Sequence, residues 1–177
     1  MSAGITQRLS LLRFDFDGLY IRHLGRHSQL GINIAHLIAL YGIWFGIYAV
    51  IGQGVLLMGL PSAWPVLVPM ALAYLATISM NSPFSVTVAT AAFVGLLVGS
   101  VLALPALPLW SIIGFLALLP VSYKVQAYSH KVWTIAADMS EHNKRFPPGR
   151  DLNIILLFYE VPICLKYLLF CPGDWRR

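Results

Sequence analysis

The sequence predicts an all-α integral membrane protein: a helical bundle of four to five spans with an N-terminal interfacial amphipathic helix. Three observations predict it. From His27 through Tyr123 there is no Lys, Arg, Asp or Glu, and so long an uncharged stretch cannot cover a water-facing surface; its outer faces must meet lipid. Hydrophobic residues make up 58% of the chain and charged residues 11%, whereas a soluble domain is about a quarter charged. The remaining charges flank the apolar block, with Arg8, Arg13, Arg22 and Arg26 before it and Lys124, Lys131, Lys144, Arg145 and Arg150 after it.

The elements follow in order. Residues 1–32 form the interfacial segment. Within it, 4–26 read as a surface helix, because Ile5, Leu9, Leu12, Phe16 and Leu19 fall on one face while Arg8, Asp15, Arg22 and Arg26 lie mainly off it. Gly25 and Gly31 offer places for the chain to turn into the bilayer. Residues 33–128 form a four-span bundle, with spans near 33–58, 63–80, 84–104 and 107–128. Gly59-Leu60-Pro61, Asn81-Ser82-Pro83 and Pro105-Ala106-Leu107-Pro108 punctuate these spans as turn-forming clusters. Trp44, Trp64, Trp110 and Trp133 fall towards the ends of hydrophobic stretches, where an amphipathic ring favours the interface. Residues 129–151 are a polar cytoplasmic segment. Residues 152–177 hold a fifth apolar segment and a tail; that segment, with Glu160 in its middle, either spans or dips in and returns.

The first apolar run, Asn33 to Gly59, is too long for a cleaved signal and is followed by more apolar sequence, so it reads as a retained helix. The net charge of +5 sits at membrane flanks rather than on a soluble patch, which excludes nucleic acid as a partner. The partners expected are the membrane and a lipid or acyl-chain substrate, and homo-oligomers are compatible. Cys164 and Cys171 lie on one helical face about 10 Å apart, too far for a disulfide between them. They read as packing residues.

Parity organises the functional residues. If both basic flanks are cytoplasmic, an even number of spans separates them. The opening of the first span and the close of the fourth then share one side of the membrane, the endoplasmic reticulum membrane in a eukaryote or the inner membrane in a bacterium. All five histidines fall there: His23, His27 and His36 at the first place, His130 and His142 at the second. Interfacial imidazoles can serve as headgroup partners, but five at one place suggest a metal site, since neutral imidazole is the commonest protein ligand for iron, zinc or copper. His23 and His27 share a helical face, and a bend at Gly31 would bring His36 to the same site. Asn33, one turn from His36, and Gln126, one turn before His130, add polar groups at membrane depth, where they need partners or a function. Glu160 is either functional or an interfacial carboxylate paired with Lys124 or Arg145. No phosphate loop, Gly-x-Ser-x-Gly elbow, His-Glu-x-x-His helix or Cys-x-x-Cys pair occurs.

Arg26-His27-Ser28, then Asn33 and His36, together with Gln126-Ala127-Tyr128-Ser129-His130 and Leu156-Leu157-Phe158-Tyr159-Glu160, resemble the yeast-type membrane 2-hydroxy-fatty-acid dioxygenases of the phytosphingosine to odd-numbered fatty acid pathway. The resemblance covers most of the chain in layout. It implies Fe(II)-dependent oxygenation of a 2-hydroxy acyl chain, shortened by one carbon. His27, His36 and His130 would carry the iron, and Asn33 and Glu160 would support the chemistry. Arg26, Gln126 and Lys131 are the candidate contacts for the substrate's polar head. Two other classes fit the same residues: a haem-binding electron-transfer bundle with His36 and His130 as axial ligands, and a non-catalytic scaffold or transporter.

Overall fold

The computed structural model describes residues 12–133, 140–145 and 147–175, without the side chains of Glu141, His142 and Arg145. Its elements are α1 (Phe16–His27), α2 (Leu30–Leu57), α3 (Trp64–Ser79), α4 (Phe84–Leu102), α5 (Ser111–Trp133), α6 (Ser140–Arg145) and α7 (Arg150–Leu165). A π-helical turn (Lys166–Phe170) and a 3-10 turn (Pro172–Asp174) close the chain. Among the described residues there is no β-strand. The fold is the expected all-α bundle.

Helices α2 to α5 run up and down. Gly52 of α2 lies against Ala63 and Leu67 at the start of α3 and Val101 at the end of α4; we call this the distal end. The fully buried Gln53 holds that end together, donating to the Pro105 carbonyl at 2.9 Å and accepting from the Leu107 N–H at 2.9 Å. Both polar ends of the amide are thus satisfied by the loop between α4 and α5, as burial requires. At the opposite end the start of α2 meets the close of α5, because α2 and α5 are antiparallel and tightly joined.

Glycines make that joint. A Cβ on Gly46 would lie 2.8 Å from the Phe115 carbonyl oxygen, one on Gly42 would collide with Ser122, and one on Gly31 would lie 2.6 Å from the Trp133 ring. Small residues let two backbones approach closely where lipid supplies no hydrophobic drive for association. The three contacts advance along α2 as they retreat along α5, which fixes the register. Gly31 therefore serves packing. The turn expected there falls earlier, at Ser28–Gln29, and Gly25 lies inside α1.

Four segments are long and apolar enough to cross a membrane: Leu30–Leu57, Phe84–Leu102, Ser111–Trp133 and Arg150–Phe170. Their outward faces are apolar, with Ile38, Leu96, Ile113, Leu116 and Val121 exposed, as lipid contact demands. Helix α3 has 16 residues, about 24 Å of helix, against the roughly 30 Å of hydrocarbon. It still runs from the distal end to the histidine end, where Asn81 just beyond it accepts from the Phe14 N–H at 3.1 Å and donates to the Tyr159 hydroxyl at 2.8 Å. Trp64 and Trp110 are exposed at helix starts, but Trp44 sits mid-helix, packed on Tyr48 and Tyr74.

Two expectations are corrected at the histidine end. The first helix starts at Phe16, where Asp15 accepts from the Gly18 N–H at 2.8 Å as an N-cap; the residues before Leu12, including Ile5, Arg8 and Leu9, lie outside those described. Its apolar face, Phe16, Leu19 and Tyr20, is buried in a protein core shared with Leu152, Ile155, Tyr159, Ile163 and Tyr167, so α7, rather than lipid, covers it. Helix α7 and the turns after it reach α1 through their side chains. Tyr159 packs near Phe14 and Phe16, Lys166 pairs with Asp17 at 2.6 Å, and Tyr20 donates to Asp174 at 2.7 Å. Long enough to span by length, α7 meets both α1 and the histidine-end halves of α2, α3 and α4 through Leu40, Tyr74 and Ala89. Pro162 cannot donate to the Phe158 carbonyl, and the Tyr74 hydroxyl takes that place at 2.8 Å.

Candidate metal centre

Three histidines from three helices meet at the end of the α2–α5 seam. His27 is the last residue of α1, His36 stands in the second turn of α2, and His130 is near the end of α5. The ring centroids are 4.7 Å apart for His27 and His36, 4.8 Å for His27 and His130, and 4.9 Å for His36 and His130. The interplanar angles are 71°, 73° and 75°. The rings thus form a nearly three-fold propeller, with one nitrogen from each lying within 4.8 Å of the others.

Hydrogen bonding decides which nitrogens face the centre. His36 Nδ1 is 2.9 Å from Glu160 Oε1 and 3.2 Å from Gln126 Nε2. The shorter contact is to a carboxylate that only accepts, and Gln126 spends its N–H on that same carboxylate, so Nδ1 carries the proton and Nε2 the lone pair. His27 Nδ1 lies 3.3 Å from the His23 carbonyl oxygen, and the same logic leaves its Nε2 as the lone-pair nitrogen. The Nε2 atoms of His27 and His36 are both buried without a hydrogen-bond partner. Orphaned buried acceptors are costly, and two of them at a three-imidazole centre suit the ligand set of a metal ion. Burial first, and then the neighbouring His23, His36 and His130, push His27 well below the ordinary imidazole range. It is neutral and able to ligate at physiological pH.

The remaining predicted residues take supporting places. Gln126 donates to Glu160 Oε1 at 2.8 Å, so the carboxylate that orients His36 is itself held. The fully buried Asn33 donates to the His27 and Gln29 carbonyls at 2.5 and 3.0 Å, tying the carbonyl that the end of α1 leaves open to the N-cap of α2. Its oxygen then accepts from His23 Nε2 at 2.8 Å. His23, stacked on His27 at 4.2 Å, spends its Nε2–H on Asn33 and stands behind the triad; it is also pushed down to about 4 by burial. The His142 side chain lies outside those described.

A cleft of about 690 Å³ opens beside the triad, lined by His23, His27, Gln126, His130 and Glu160 together with Arg22 and Arg26. Leu152, Leu156, Tyr123 and Ala127 make an apolar wall. Arg26, a candidate contact for a substrate head, lines this cleft. Lys131, expected at the same place, is exposed and does not line the cleft. Arg22 was not singled out from the sequence, although its spacing of one turn from Arg26, parallel to that of His23 and His27, was a visible signal. Of the α7 contribution, Glu160 carried a signal as a carboxyl group within an apolar segment, whereas Leu152 and Leu156 had none, since the approach of α7 to α1 is a tertiary event.

Fold and site define a membrane-type helical bundle with a histidine cluster able to hold a metal ion. His36 and His130 are too close, with His27 wedged against both, to leave a slot for a porphyrin plane between them. No family model, curated protein or solved structure matches the chain.

Proposed function

We propose that the protein is a membrane-embedded Fe(II)-dependent oxygenase acting on a 2-hydroxy fatty acid or a similar lipid, with the histidine-bearing end on the cytoplasmic side. The observation that carries the reading is the pair of buried, unpartnered Nε2 atoms of His27 and His36 in the three-imidazole propeller. The residues fit an iron ion in donor chemistry, since imidazole suits iron among other first-row metals. They also fit in their surroundings, since His36 has the carboxylate partner that ligating histidines commonly have.

In this reading His27, His36 and His130 hold the ion. Bound iron would supply redox chemistry and a place for the hydroxy acid and dioxygen to meet. The chain does the rest. Glu160 and Gln126 keep the His36 ring in one tautomer and orientation. Asn33 holds the corner between α1 and α2, so that His27 returns to His36. Arg26 sits at the cleft to attract a carboxylate, and the apolar wall of Leu152 and Leu156 accepts the acyl chain.

The test is metal analysis of detergent-purified protein, followed by anaerobic loading with Fe(II) and incubation with 2-hydroxyhexadecanoate and dioxygen. About one iron per chain and a product one carbon shorter are expected. Stoichiometric zinc with no oxygen consumption would replace the oxygenase by a different metal chemistry, and absence of bound metal after loading would leave a scaffold.

A further inference from the structure

The cleft beside the triad has a second polar end that the metal reading does not use. Arg22 and Arg26 stand one turn apart on α1, on a stripe next to the one carrying His23 and His27, and both line the cleft. Two guanidinium groups at this spacing repel each other unless an anion sits between or against them. Arg22 Nε is buried and has no hydrogen-bond partner. Guanidinium is built to present Nε–H and Nη–H together to a carboxylate or phosphate, so this orphaned donor marks one half of an unused fork. Among the described residues lining the cleft the one acid is Glu160, and its Oε1 is already taken by His36 and Gln126. The charge that the described lining presents to an incoming headgroup is therefore positive, and the wall leading away from it is apolar.

We infer that Arg22, assisted by Arg26, is the anion receptor of this cleft and seats the carboxylate or phosphate headgroup of a single-chain amphiphile beside the histidine triad. The inference rests on reading the cleft as the substrate site, but it needs no metal. Arg22 is the positioning group: its fork fixes where the headgroup stops, and hence which carbon of the chain lies nearest the three imidazoles. The chemistry recognised is an anionic head on an apolar tail, shared by a free acyl acid and a lipid phosphomonoester.

The experiment measures equilibrium binding to chelator-treated, full-length protein in neutral detergent. Its probes are hexadecanoate, hexadecyl phosphate and uncharged hexadecanol. The anions should bind the wild-type protein at least tenfold more tightly than the alcohol. Arg22→Gln should weaken the anions roughly ten- to a hundredfold, the loss of a charge-assisted hydrogen-bonded contact, and leave hexadecanol unchanged. Arg22→Lys should recover part of the loss, since charge returns without the fork. A preference for carboxylate identifies an acyl acid as the source, and a preference for phosphate identifies a lipid phosphomonoester. Equal binding of alcohol and anions by the wild-type protein would overturn the inference without any variant. So would anion affinity unchanged in Arg22→Gln. A metal titration of the same variant separates the two readings: an intact metal site with lost anion binding is expected, and lost metal binding in the triad variants leaves the anion result standing.

Discussion

Glu160 Oε1 lies 2.9 Å from His36 Nδ1, across the packing of α7 on α2. The sequence separation is 124 residues, and the bond turns one imidazole so that its Nε2 faces two others. From this contact the properties of the site can be tested.

Glu160→Gln keeps the size of the side chain and removes its charge. Outer partners of metal-bound histidines typically contribute 10- to 100-fold in metal affinity, so a titration with Fe(II) or Zn(II) should show a loss of about that size. Glu160→Ala should lose more. Unchanged affinity in both would mean that the carboxylate does not orient His36.

Ligands and their neighbours should separate. His27→Ala, His36→Ala and His130→Ala should each abolish stoichiometric metal binding. His23→Ala should retain about one metal per chain, because the His23 Nε2–H is committed to Asn33. Metal content by elemental analysis decides the matter, and loss of metal in His23→Ala alone would redraw the ligand set.

The glycine seam should act on the site from a distance. Gly46→Leu places a side chain where a Cβ would already lie 2.8 Å from the Phe115 backbone oxygen. Overpacking typically costs about 1–3 kcal/mol, and parting α2 from α5 should also lower metal affinity although Gly46 is nowhere near the triad. Gly95→Ala, inside α4 with nothing within 4 Å of the new methyl, is the control. It should raise stability by about 0.5–1 kcal/mol and leave the metal untouched.

Acid should loosen the metal-free protein. His23 is pushed down to about 4 by burial, while the unfolded chain takes up a proton near the ordinary imidazole value of about 6.5. Folded-state pKa below unfolded-state pKa means that stability is whole above about 6.5 and erodes as pH falls towards 4, by on the order of 3 kcal/mol. Thermal scans in detergent between pH 8 and pH 4 should show the decline, and it should be shallower in His23→Gln.

Much of this was legible in the sequence for a physical reason. An uncharged stretch from His27 to Tyr123 has no stable place outside lipid, and helices joined by short turns must reverse direction, so His36 and His130 had to arrive at one end. Composition and periodicity report what each helix surface tolerates. They do not report which neighbour covers it. The apolar stripe of α1 reads equally well against lipid or protein, and only the placement of α7 decided for protein.

The sequence by itself determined the membrane class, the helix order and the gathering of imidazoles at one end. Tertiary structure decided which of them converge: the break at Ser28–Gln29 turns His27 back towards His36, the close approach at Gly31, Gly42 and Gly46 sets the register that brings His130 level, and α7 delivers Glu160. Those choices depend on ångström-scale packing between surfaces distant in the chain, and an isolated stretch of residues carries no record of the partner it will meet.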